Sequence, residues 1–153
     1  MTTQRLNPFT ATPAGLASLT NVEKYLESCG LDHKLILLVK TRVSQINGCA
    51  YCLHMHTADA RNLGESEKWL YLLDAWHESN LYSARERAAL AWAESLTHIA
   101  DTRAPDDVYE EARSQFSEKE MADLSIVIAM INAWNRLAIG GRATHAADVA
   151  KAA

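Results

Sequence analysis

Two tetrapeptides limit what this chain can become: Ser83-Ala84-Arg85-Glu86 and Ser117-Glu118-Lys119-Glu120. Each reads S-x-x-E, the pattern in which a serine hydroxyl and a glutamate carboxylate reciprocally satisfy the free N–H groups at a helix start. Apolar residues at helical spacing follow both: Ala89, Leu90, Ala93 and Leu96 after the first, and Met121, Leu124, Val127, Ile128, Ile131, Trp134 and Leu137 after the second. The boxes lie 34 residues apart, a period that helical solenoids also use. The stretches after the two caps differ in length, so they read as two well-capped helices rather than as repeats.

The rest of the chain keeps the same period. Thr12-Pro13 reads as a helix start, with Gly30 able to stop that helix after about Cys29. Asp32 caps a second helix, with Leu35, Leu38, Val39, Arg42, Val43 and Ile46 near one face, and Asn47-Gly48 breaks it. A third helix runs from about Cys49 to Asn62 and ends at Leu63-Gly64. Ser66 caps a fourth through Trp69, Leu70, Leu72, Leu73 and Trp76, with a connector at Asn80 to Tyr82. Pro105 to about Phe116 makes a shorter helix, Gly140-Gly141 ends the last long one, and the tail to Ala153 reads as one more short helix.

No segment alternates with period two, and only 6 Gly and 3 Pro are present, which disfavours a turn-rich β architecture. The reading is an all-α compact bundle of about seven helices, one domain over residues 1–153. Leu124 to Leu137 is apolar around most of its circumference, so that helix is either central or half covered by another subunit, and in a chain this small the second is expected.

A net charge of −4 without clustered Lys or Arg argues against nucleic acid as a partner. Met1 to Pro13 has no apolar run suited to a secretory signal. The apolar stretch Leu124 to Ile139 is interrupted by Asn132, Asn135 and Arg136, so no membrane span is expected. The reading is a cytoplasmic protein, and in a reducing cytoplasm closely spaced cysteines are redox or metal groups more often than structural disulfides.

Three cysteines are present, and two of them stand in Asn47-Gly48-Cys49-Ala50-Tyr51-Cys52-Leu53-His54-Met55-His56. At the helical rotation of about 100° per residue, Cys49, Cys52 and His56 fall within about 60° of arc on one face. The thiolate is the reactive form of cysteine, and a helix N-terminus, the second sulfur and a nearby imidazole all favour it. A sulfenic acid formed on one cysteine can condense with the other to a disulfide. The helix dipole favours Cys49 as the attacking sulfur and the i, i+4 histidine favours Cys52. The histidine carries more weight, because the nucleophile must lose its proton to a base in reach. Zinc is the rival use of Cys49, Cys52 and His56, but all three lie on one helix, and Cys29, His145 or Asp59 would have to complete the site. No metal and no organic cofactor are expected. His54 projects from the opposite face and reads as a packing or interface residue; His33, His77, His98 and His145 read as surface residues, and Cys29 as an inert bystander.

At these residues the sequence resembles the alkylhydroperoxidase D-like branch of the carboxymuconolactone decarboxylase family. The likeness is densest from Arg42 to Cys52, continues through Met55-His56-Thr57 and Ala60-Arg61, and includes Glu86 to Trp92 and Asn132 to Arg136. The resemblance implies an all-helical fold and homo-oligomers built on dimers, such as trimers or hexamers. It implies reduction of hydroperoxides by the paired cysteines, recycled by an external dithiol such as a lipoyl-bearing protein. Carried over, Cys52 is peroxidatic, Cys49 resolving and His56 the proton-relay histidine. The family pattern has a glutamate twelve residues before the first cysteine. Leu37 stands there in this chain and cannot transfer a proton; Asp59, one turn beyond His56, is a residue that could orient the imidazole. A thiol–disulfide oxidoreductase or a redox-sensing module with little peroxidase turnover is the alternative function, and a lyase or isomerase using His56 as base a weaker one.

Overall fold

A computed structural model describes residues 3–145. Among them there are helices and no strands. The α-helices are α1 (Pro8–Ala11), α2 (Pro13–Leu26), α3 (His33–Asn47), α4 (Ala50–Asn62), α5 (Glu67–Tyr71), α6 (Ala84–Thr97), α7 (Ile99–Thr102), α8 (Asp106–Gln115) and α9 (Glu118–Gly141), with a 3-10 helix at Leu73–Glu78 between α5 and α6.

Both capping boxes form. The Oγ atoms of Ser83 and Ser117 accept from the backbone N–H of Glu86 and Glu120, and each glutamate accepts from its serine N–H in return. The two starts are also neighbours: Arg85 Nη2 donates to Glu120 Oε1 at 2.6 Å, and its guanidinium lies 3.9 Å from the centre of the Phe116 ring. The Ser117 hydrogen bonds and Arg85 together push the Glu120 pKa down to about 2. Elsewhere Asp32 caps α3 through Lys34 N–H at 2.8 Å, and Ser66 caps α5.

Helices α3, α6 and α9 pack on one another and form the centre of the bundle; α8 covers α6, while α2 and α4 lie against α9. Leu38 and Val43 of α3, Ala89 and Leu90 of α6, and Leu124 and Val127 of α9 are fully buried where they meet. By length and mean hydropathy α9 would pass for a membrane span. Its packing against α2, α3, α4, α6 and α8 makes it instead the core helix of the bundle. Met121, Leu124, Val127, Ile128, Met130 and Ile131 turn into the bundle, and Ile126 and Ile139 are the large apolar side chains of α9 left exposed.

The remaining differences are local. α2 ends at Leu26, short of Cys29, and Gly30 takes its left-handed φ of 99° in the connection that follows. The expected fourth helix is split: α5 ends at Tyr71, a 3-10 helix takes over at Leu73, and Ala75 within it leaves helical geometry again (φ −111°, ψ 29°). α1 and α7 are single turns too short to show a period. At the end of α9, Arg142 rather than a glycine takes the left-handed conformation (φ 52°). Gly141 is small for another reason: a Cβ there would lie 2.7 Å from the carbonyl oxygen of Leu6. The backbone N–H groups of Arg5 and Leu6 both donate to Gly141 O, at 2.9 and 3.2 Å, pinning the N-terminal strap across the end of the bundle. The short helix expected near Ala153 lies outside the described residues.

Candidate active site

The turn between α3 and α4 sets the site. Gly48 is left-handed (φ 68°, ψ 35°), which lets the chain reverse while Gly48 N–H donates to Gln45 O and Cys49 N–H to Ser44 O. A buried polar network holds this turn against α9. Asn47 Nδ2 donates to the Oδ1 atoms of Asn132 and Asn135, at 3.0 and 2.9 Å. Asn135, with no exposed surface, donates through Nδ2 to Ser44 Oγ at 3.1 Å, and Ser44 Oγ donates to Lys40 O at 2.7 Å.

Cys49 is the N-cap of α4, with its Sγ accepting from the backbone N–H of Cys52 at 3.3 Å. Cys52 is the third residue of α4, and the two sulfurs are joined as a disulfide across a Cα–Cα separation of 5.4 Å. Both are buried, at 1% and 3% exposure. His56 follows one turn later at 5% exposure. Neither of its ring nitrogens has a hydrogen-bond partner among the protein atoms. Burial, helped by the positive charge of Lys40, pushes the His56 pKa down to about 4. The ring is therefore neutral at pH 7, with one nitrogen a donor and the other an acceptor.

Cys52 and His56 share the wall of a cavity of about 840 Å3, and Cys49 does not line it. The cavity lies between the N-terminal strap, α2, α3, α4 and the end of α9; Leu26, Ile36, Leu37, Ile131 and Leu137 make much of its wall apolar. Pockets of a few hundred to about 1,000 Å3 with a few convergent polar groups are the usual form of small-molecule sites. Leu37 is thus present at the site as an apolar wall. Asp59 also lines the cavity, yet it does not bond the imidazole.

Two wall residues, Glu23 and Lys40, were not singled out from the sequence, and Trp134 was read there only as part of an apolar stripe. Lys40 Nζ bonds Glu23 Oε2 at 2.6 Å, and Trp134 Nε1 donates to Glu23 Oε1 at 2.7 Å, so α2, α3 and α9 meet in a charged pair beside the imidazole. One signal was available: Lys40 directly follows the apolar run Leu35 to Val39. Glu23, on a different helix, had none.

The other expected bystanders are accounted for. Cys29 is a free, half-buried thiol away from the cavity, and its carbonyl accepts from Lys119 Nζ at 2.7 Å. His54 is exposed and stacks on His145 with ring centres 5.1 Å apart. His33, His77 and His98 are exposed, with His77 stacked on Trp76 at 3.6 Å, whereas His145 is half-buried rather than a surface residue. Among the described residues, no three His, Cys, Asp or Glu side chains gather to hold a metal ion.

Comparison with known proteins gives a consistent picture. Residues 11–95 match the model of the carboxymuconolactone decarboxylase family. The uncharacterized protein YdfG of Bacillus subtilis (strain 168) is 42% identical over 142 residues, which cover 92% of this chain and 97% of that one. The crystal structure of ATU0492 from Agrobacterium tumefaciens, a protein of unknown function put forward as an AhpD antioxidant defence protein, is similar at 43% identity and a TM-score of 0.91, covering 94% of this chain and 98% of that chain. An uncharacterized peroxidase-related protein from Silicibacter sp. TM1040 is similar at 26% identity and a TM-score of 0.72, over 83% of this chain and 68% of that one.

Proposed function

The chain belongs to the carboxymuconolactone decarboxylase family, in its alkylhydroperoxidase D-like branch, and we propose that it is a thiol-dependent reductase of organic hydroperoxides. The observation that carries this reading is that Cys52 and an unpartnered, buried imidazole line one cavity large enough for an organic substrate.

In the reaction, Cys52 is the peroxidatic cysteine. Its thiolate attacks the outer oxygen of ROOH, the O–O bond breaks, and the alcohol ROH leaves with a proton. Cys52 becomes a sulfenic acid. The Cys49 thiolate then attacks that sulfur, forming the disulfide and expelling hydroxide, which takes up a proton and leaves as water. An external dithiol returns the pair to thiols. Burial of both sulfurs favours a small or arm-borne donor that can enter the cavity, of the kind a lipoyl-bearing protein presents.

His56 moves the protons. With a neutral disulfide beside it, burial keeps the ring uncharged. A Cys52 thiolate would supply the opposite charge that offsets this desolvation, so the proton leaving sulfur has an acceptor one helical turn away. The dipole of α4 and the N–H groups of its first turn add to thiolate stability. Leu37 contributes no proton, which favours thiol–disulfide exchange with little peroxide turnover as the second reading. Exposed Phe9, Tyr51, Met55 and Leu63 around the cavity support assembly as a homo-oligomer. The cysteine usage supports a cytoplasmic setting.

Stopped-flow mixing of the reduced protein with cumene hydroperoxide and with hydrogen peroxide tests the proposal. The expected result is rapid consumption with formation of a Cys49–Cys52 disulfide by mass spectrometry, faster with the organic peroxide. A reduced protein that leaves both peroxides intact would overturn it in favour of exchange alone.

A further inference from the structure

The two sulfurs of the disulfide stand in different surroundings. Both are buried, but Cys52 forms part of the cavity wall and Cys49 does not. Cys49 Sγ occupies the N-cap of α4 and receives the Cys52 backbone N–H at 3.3 Å. We infer that the regenerating dithiol attacks Sγ of Cys52 and that Cys49 is the leaving thiolate. The inference rests on the redox reading of the pair given above and adds which sulfur meets the donor.

In thiol–disulfide exchange a thiolate bonds to one sulfur while the other departs with the bonding electron pair. A donor thiolate that enters the cavity meets Cys52. A donor–Cys52 disulfide forms, the Cys49–Cys52 bond breaks, and Cys49 leaves as a thiolate. The donor's second thiolate then attacks the donor sulfur of the mixed disulfide. The donor closes to its own disulfide, and Cys52 leaves as a thiolate. Two electrons pass from the dithiol to the cysteine pair, and the two donor protons end on the cysteines or in solvent.

Leaving-group chemistry selects the same direction independently of access. A thiol of lower pKa leaves faster. Cys49 departs into a helix N-terminus with an N–H already directed at its sulfur, which stabilises the developing anion. Attack on Cys49 would need a donor to reach a buried sulfur that does not line this cavity and would give up this stabilised leaving group. One sulfur therefore serves oxidant and reductant in turn, through one opening.

The oxidised full-length protein, mixed with 2-mercaptoethanol and quenched in acid within milliseconds, tests this. Fragment spectra of the peptide carrying both cysteines locate the adduct. The adduct is expected on Cys52 in about tenfold excess or more. An adduct on Cys49, alone or in equal share, overturns the inference. Because Cys49 can expel the adduct before the quench, a second measurement follows reaction of reduced Cys49→Ser and Cys52→Ser with dithionitrobenzoate, each also carrying Cys29→Ser so that the other free thiol does not contribute. Cys52 in the first variant is expected to react at least about tenfold faster than Cys49 in the second, and equal or reversed rates overturn the inference. Neither measurement contains a peroxide. Inertness toward peroxides would therefore end the peroxidase reading alone, and an adduct on Cys49 would end this inference alone.

Discussion

The two flanks of one disulfide are built by opposite rules. On the Cys49 flank the backbone and side chains are hydrogen-bonded: Gly48 and Cys49 to the end of α3, and Asn47 to two asparagines of α9. On the Cys52 flank His56, one helical turn on, has two unpartnered nitrogens and faces a largely apolar cavity. A buried polar group left unpaired costs about 1–3 kcal/mol, so the first arrangement holds geometry and the second bears a cost. The difference teaches which flank is scaffold and which is reserved for exchange with something that arrives from outside.

The largest effect should come from exchanging the two sulfurs' roles. Cys52→Ser is expected to abolish peroxide consumption. Cys49→Ser should keep one stoichiometric burst, since its Cys52 can still be oxidised once without being resolved. Rapid-quench measurement of peroxide consumed per chain distinguishes these, and equal loss in both variants would break the comparison.

His56 comes next. His56→Leu is expected to slow the oxidation step by roughly 10²–10⁴-fold, the usual worth of a positioned general acid or base. The same change has a signature in stability. A histidine whose folded pKa is about 4, against about 6.5 unfolded, is protonated in the unfolded chain before it is protonated in the native one. Between those values the unfolded state binds more protons, so stability falls as pH falls. That loss reaches about 3 kcal/mol by pH 4 and is absent above about pH 7. Urea unfolding of the parent and His56→Leu at pH 7 and pH 4 should show the parent losing this much more than the variant.

The scaffold flank was the more legible one in the sequence, and the reason is locality. Asn47-Gly48 announces a chain reversal, Cys49 and Cys52 follow at helical spacing, and S-x-x-E marks two helix starts, all within a few residues of each signal. The all-α fold follows from the same local rules. What the sequence hid is made by distant segments. Glu23 meets Lys40 across 17 residues and Trp134 across 111. The cavity exists because a strap near Leu6 lies over the end of α9. Periodicity also could not say which side of α9 this chain covers itself, because a core helix and a subunit interface ask for the same broad apolar surface. Nor could helical spacing show that the His56 nitrogens find no partner: spacing places a side chain on a face and says nothing of what lies opposite.

Asn135 tests whether the polar network is scaffold. It accepts from Asn47 and donates to Ser44, with no exposed surface. Asn135→Leu removes both bonds and leaves Asn47 and Ser44 each short of a buried partner, at an expected cost of about 2–4 kcal/mol in urea unfolding. If the variant keeps the stability of the parent and reduces peroxide at the same rate, the turn is held by backbone geometry alone and the two flanks do not differ in this respect.

The smallest effect should come from Gly141, where the end of α9 meets the N-terminal strap over the cavity. Two opposing terms set it. Alanine in place of a glycine within a helix stabilises by up to about 1 kcal/mol. The added Cβ would sit 2.7 Å from Leu6 O, a backbone atom that cannot rotate away, so the strap must lift and the hydrogen bonds from Arg5 and Leu6 lengthen. The two terms nearly cancel, and Gly141→Ala is expected to change global stability by less than about 1 kcal/mol. The strap carries Gln4, Asn7, Pro8 and Phe9 into the cavity wall, so its displacement should be read in substrate handling rather than in unfolding. The KM for a bulky hydroperoxide should change while that for hydrogen peroxide, which needs little of the wall, stays put. Equal shifts for both peroxides would mean that the strap acts through the scaffold, and that the two flanks are coupled at this end of the bundle.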